Sequence, residues 1–186
     1  MTPARSGHPA DAGFPRPSAG NSRWEGPAKA RHAASTVMVT PHVGATRTIT
    51  HRDIELFTEI TGDRNPIHYD AEVARSSRFG GIVVQGGVTT GLLNALVAEQ
   101  LPGPGSVFLE VAWRFLAPVR PGDVITAEAT VTGTRADKPV TSLATRITNQ
   151  DGVTVLDGSA VVWRDPTVAD WGFAEAPGKA ARSRTS

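Results

Sequence analysis

The sequence predicts an α+β fold: one domain in which an antiparallel β-sheet wraps around a long central helix. Three observations carry that prediction. A segment near the middle, "GGVTTGLLNALVAEQLPGPG", is apolar over a wide helical arc and is stopped by Pro and Gly. Four segments after it alternate in polarity and are rich in Val, Thr and Ile. Turn chemistry punctuates them, "PGD" at 121–123 and "NQDG" at 149–152. A helix with a wide apolar surface and a sheet with one apolar face can each bury what the other exposes.

The elements follow in order along the chain. "ATRTIT" is a short alternating segment. Thr50 then caps a helix, with Asp53 completing a capping-box pattern. Ile54, Phe57 and Ile60 share a face of that helix, joined by Leu56, and Gly62 ends it. "DAEVARSSRFGG" reads as a second short helix, capped by Asp70 and closed by Gly80-Gly81. In the long helix, Val88, Leu92 and Leu96 combine with Leu93 and Val97. A helix apolar nearly all round is expected to be buried. The strands are expected in "SVFLEVAWRFLAPV", "DVITAEATVTGTR", "VTSLATRITNQ" and "VTVLDGSAVVWR".

Either side of this domain, placed at 37–165, the composition changes. Residues 1–36 are rich in Pro, Ala, Gly, Ser and Arg without periodicity and read as a disordered tail, with Met38 as an alternative start. Residues 166–186 read as a second, mostly flexible tail, in which Trp171 and Phe173 could dock.

Bulk properties exclude several classes. The chain has 186 residues, 39% hydrophobic and 20% charged, with a net charge of +1. That balance argues against a nucleic-acid surface, which needs a basic stripe. There is no Cys, which removes disulfides, thiolate zinc sites and Cys nucleophiles. The His residues lack metal-ligand spacing, so no metal is expected. No apolar run reaches the roughly 18 residues of a spanning helix. No signal-peptide core opens the chain. A cytoplasmic protein without membrane contact is the expectation.

Two segments carry candidate chemistry. In "TGDRNPIH", 61–68, Pro66 pushes Asn65 toward extended geometry, so Asp63 and His68 fall on a loop. If their side chains converge, a carboxylate and an imidazole can share a water, a pair suited to general acid–base work. Spacing also allows a plain loop in which Asp and Asn bond nearby backbone and His68 is a satisfied surface residue. In "VVQGGVTTG", 83–91, Gly86 and Gly87 sit where an apolar segment enters the long helix. Backbone N–H groups there, with the helix dipole behind them, suit a developing oxyanion. The same glycines could equally serve only to make the turn.

Together these segments resemble the MaoC-like dehydratases, the group that holds the (R)-specific enoyl-CoA hydratases. The likeness runs from "FTEITGDRNPIHYDAEVARSS" through "VVQGGVTTG" to "PGD" and covers 57–131, continuing more loosely to about 164. The resemblance implies a hot-dog fold, pairing as a homodimer, with the site near the interface. It implies reversible hydration of trans-2-enoyl thioesters to (R)-3-hydroxyacyl thioesters. Asp63 and His68 would match the catalytic pair, and Gly86 would give its N–H to the thioester oxygen. Asn65 would shape the loop, and Asn94 would lie near the reacting centre. Relatives often carry His where this chain has Gln85, and a bulky residue where it has Gly87, which could widen the acyl tunnel. No cofactor is implied beyond the CoA or acyl-carrier phosphopantetheine of the substrate, so an acyl carrier protein is a possible partner. Two other readings stay open: a non-catalytic acyl-thioester binder, and one subunit of a heteromeric dehydratase.

Overall fold

A computed structural model describes residues 41–168. The expected tails at 1–36 and 166–186 lie outside them, except that Pro166–Val168 form a 3-10 turn after the last strand. The described chain runs β1 (His42–Thr48), α1 (His51–Thr61), a 3-10 turn (Pro66–His68), α2 (Ala71–Ser76), α3 (Gly86–Glu99), β2 (Ser106–Phe115), β3 (Val124–Thr134), β4 (Val140–Thr148) and β5 (Thr154–Arg164). The strands form one antiparallel sheet in the order β1-β3-β4-β5-β2. The four long strands and the short alternating segment of the sequence are all present.

Strand alternation decides which side faces α3. On β3, Ile125, Ala127 and Ala129 are fully buried while Thr126, Glu128 and Thr130 between them are not. Leu143 and Ile147 of β4 and Leu156, Ala160 and Val162 of β5 continue the inner face. The small residues Ala127 and Ala129 leave room for Leu93 and Leu96 of α3, which join the same core cluster. Fully burying each Leu or Ile contributes about 1.5–3 kcal/mol. At Gly158 a side chain would overlap the Ala112 carbonyl, so only glycine lets β5 approach β2 this closely.

Two expectations change. α3 is buried on one side, through Thr89, Leu93, Leu96 and Val97, but exposes Asn94, Ala95 and Ala98 on the other. One sheet has one inner face, so it covers only part of the helix. The second helix stops at Ser76 rather than at Gly80-Gly81. Its N-terminus is as expected, since Asp70 Oδ1 accepts from the Glu72 and Val73 amides at 2.9 and 3.0 Å. Its end comes early because the Ser77 hydroxyl donates to the Ala74 carbonyl and accepts from the Phe79 amide.

The segment that follows, up to Ile82, is held from across the molecule. Arg120 is half-buried and donates to the carbonyls of Phe79 and Ile82. The "PGD" turn supplies this anchor, because Asp123 Oδ2 accepts the Arg120 amide at 2.8 Å and Gly122 takes a positive φ of 99°. Among the described residues no helix is long and apolar enough to cross a membrane.

Candidate active site

α1 ends one residue before the site. Gly62 takes a left-handed φ of 77° and its amide bonds the Thr58 carbonyl, which turns the chain sharply into Asp63. The loop then caps the next turn itself. Asn65 Oδ1 accepts from the Ile67 amide, and Pro66 occupies the first position of the 3-10 turn, where an N–H is dispensable. Asn65 therefore shapes the loop through its own side chain. That turn carries His68 inward to 8% exposure.

The alternative left by spacing, a satisfied surface His, does not hold. The carboxylate and the imidazole meet, with Nε2 of His68 3.6 Å from Oδ2 of Asp63. Nδ1 of His68 lies 2.7 Å from the Val83 carbonyl oxygen. A carbonyl only accepts, so Nδ1 carries a hydrogen, and in the neutral form of the ring Nε2 is the bare nitrogen facing Asp63. Two acceptors then face each other across a gap too long for a direct bond. A water, with two hydrogens to give, is the molecule that satisfies both. Oδ1 of Asp63 is already taken by the Asn65 amide at 3.0 Å, which turns Oδ2 toward the imidazole. Asp63 keeps 38% of its side chain exposed, so the pair stands open to a ligand.

Val83, which holds His68, lies three residues before Gly86, the first residue of α3. Gln85 at the N-cap makes no side-chain cap, so the first-turn amides, Gly86 among them, have no partner from that side chain. Two rings flank this helix start. A Cβ at Gly86 would come within 3.0 Å of the Phe115 ring at the end of β2. A Cβ at Gly87 would overlap the Phe57 ring of α1. The Phe57 ring thus fills the room that a side chain at Gly87 would take. Asn94 lies about 12 Å further along α3 on its exposed side, and its side chain makes no hydrogen bond within the described residues.

Gln85 is 2% exposed, and its Nε2 donates to Thr58 Oγ1 at 3.1 Å and to the Ile54 carbonyl at 3.4 Å. Its Oε1 is buried without a partner among the described residues. Thr58 and Tyr69, which share this cluster, were missed by sequence reasoning. Tyr69 directly follows His68, but Thr58 reads simply as a helix residue and nothing in its spacing marks it.

A shallow hollow of about 370 Å³ lies on the outer face of the sheet, lined by His42, Glu128, Thr130, Ala144, Thr145, Arg146 and Asp157. None of these belongs to the Asp63–His68 group. Among the described residues no three His, Asp or Glu are placed to hold a metal.

An antiparallel sheet laid on one long helix is the hot-dog arrangement of the solved (R)-hydratases. The MaoC like domain model matches residues 33–152, and the chain belongs to that family. It is 39% identical over 110 residues to the (R)-specific enoyl-CoA hydratase of Aeromonas caviae, covering 59% of this chain and 82% of that one. It is 40% identical over 114 residues to the 3-hydroxybutyryl-CoA dehydratase of Methylorubrum extorquens, covering 61% and 72%. Its fold matches the solved (R)-hydratase of A. caviae, described as involved in PHA biosynthesis, with a TM-score of 0.65 and 34% identity over 71% of this chain and all of that one.

Proposed function

We propose that this protein catalyses the reversible hydration of trans-2-enoyl thioesters to (R)-3-hydroxyacyl thioesters. It is an enzyme of the hydro-lyase class that its named relatives share. The observation that carries the finer reading is Nε2 of His68 facing Oδ2 of Asp63 at 3.6 Å, with Nδ1 held by the Val83 carbonyl. In this reading a water held between them loses a proton to the pair as its oxygen adds to C3. The thioester oxygen gathers negative charge and is met by the Gly86 N–H, strengthened by the helix dipole. The proton returns to C2, and the reverse sequence dehydrates the product. The reaction moves no electrons to an acceptor, so it requires no redox cofactor. CoA or a carrier phosphopantetheine enters as part of the substrate.

The site is open in one chain, and a second copy would close it. β2 is an edge strand and exposes Val107, Leu109 and Val111, while Phe115 at its end touches Gly86. Pairing two such edges would satisfy their backbone groups and cover this apolar strip, which supports a homodimer with the acyl tunnel near its interface. A cytoplasmic location goes with this reading.

The test follows the enoyl-thioester absorbance of crotonyl-CoA with wild type, Asp63→Asn and His68→Ala. Wild type should bleach the band, and each variant should lose about 10²–10⁴-fold in rate. Near-normal turnover by Asp63→Asn would sink its assigned role. No bleaching by wild type across a panel of longer enoyl thioesters would favour a binder or a subunit that needs a different partner chain.

A further inference from the structure

We infer that Gln85, Thr58 and Tyr69 form a positioning network that holds Asp63 in register with the Gly86 end of α3. The inference rests on the role proposed for Asp63 and adds residues that do not touch the reacting atoms.

Hydrogen-bond valence fixes the network. The Asp63 carbonyl can only accept, and it lies 2.6 Å from Thr58 Oγ1, so the single proton of Thr58 goes there. The two lone pairs of Thr58 are then left to accept. Nε2 of Gln85 fills one, and the Tyr69 hydroxyl fills the other. The second hydrogen on Nε2 faces the Ile54 carbonyl, again an acceptor only. Both groups at this end of the Gln85 amide demand a donor, so its NH₂ points at α1 and its Oε1 points away. One saturated hydroxyl on α1 thereby ties together three segments: the residue before Gly86, the backbone of Asp63 and the residue after His68.

The cost of this arrangement argues for position over stability. Oε1 of Gln85 is buried and has no partner among the described residues. A Leu would occupy similar volume with no orphaned acceptor, so packing alone does not call for Gln. Held by Thr58 through its carbonyl and by Asn65 through Oδ1, Asp63 has its carboxylate aimed by contacts on both sides. A displacement of about 1 Å at such a group costs up to about 100-fold in rate.

The test compares wild type, Thr58→Val, Thr58→Ser, Gln85→Leu, Tyr69→Phe and Thr58→Val/Gln85→Leu in the full chain. Enoyl-thioester hydration, thermal melting and amide hydrogen exchange are measured for each. Thr58→Val and Gln85→Leu should each lower kcat by about 10- to 100-fold while KM moves less than about 2-fold. The Tm of Gln85→Leu should stay near that of wild type. Thr58→Ser, which keeps the hydroxyl, should recover most of the loss, and Tyr69→Phe should lose less than Thr58→Val. The double variant should fall no further than Thr58→Val alone, because both changes break one network. Unchanged kcat in a folded Thr58→Val or Gln85→Leu, or a double variant whose losses multiply, overturns the inference. If wild type hydrates no enoyl thioester, the functional reading fails separately. Exchange then decides the network: faster exchange at the Asn65 and His68 amides in Thr58→Val sustains it, and unchanged exchange overturns it.

Discussion

At the scale of single residues, what matters here is which groups have no freedom left. His68 has one ring nitrogen committed to the Val83 carbonyl and the other aimed at Asp63. Gly87 is confined in a different way, by the Phe57 ring lying where its Cβ would be. Gly87→Ala should push that ring aside and disturb the start of α3, costing about 1–3 kcal/mol of stability. Adding Phe57→Leu should return most of the lost Tm. A Gly87→Ala protein that melts like wild type would show that the ring moves without penalty.

At the scale of elements, the start of α1 is secured by charge as well as by a cap. Burial pushes the Asp53 carboxyl up, but hydrogen bonds from the Thr50 hydroxyl and amide, with the Arg47 guanidinium beside it, outweigh that and hold it below the usual carboxylate range. A lowered pKa in the folded state means stability that is complete above the unfolded value and lost as pH falls through the folded one. Asp53→Asn should cost about 1 kcal/mol at neutral pH, and its gap from wild type should close as pH drops below about 4. Denaturant melts of both proteins at several pH values measure this. A gap that stays constant down to pH 2 would mean the carboxylate charge is not the source.

At the scale of the whole molecule, a single chain leaves surfaces that its own sheet cannot cover. The edge strand β2 shows Val107, Leu109 and Val111, and α3 shows Asn94, Ala95 and Ala98. Sedimentation should find a dimer, and Leu109→Lys/Val111→Lys should yield a folded monomer with weakened hydration, since like charges would face one another along the paired edges. A dimer that survives both lysines would place the interface elsewhere.

Much of this molecule was legible in the sequence because its signals are local. Alternation in β3 to β5, the caps at Thr50 and Asp70, Gly62 after α1 and the Pro-Gly stop after α3 each depend on neighbours a few residues away. The segment "GDRNPIH" also announces its own turn, since Pro66 and Asn65 fix it from within. What the tertiary structure alone decided are the meetings across long sequence gaps. Whether Asp63 and His68 converge depends on the Val83 carbonyl, fifteen residues on, to aim the ring. The filled space at Gly87 comes from Phe57, thirty residues upstream, and the anchoring of 77–82 comes from Arg120. The orientation of Gln85 is set by Thr58, 27 residues before it. Periodicity reports which face a residue takes. It carries no information about which distant donor or ring will stand opposite, because that follows from how the sheet closes on the helix.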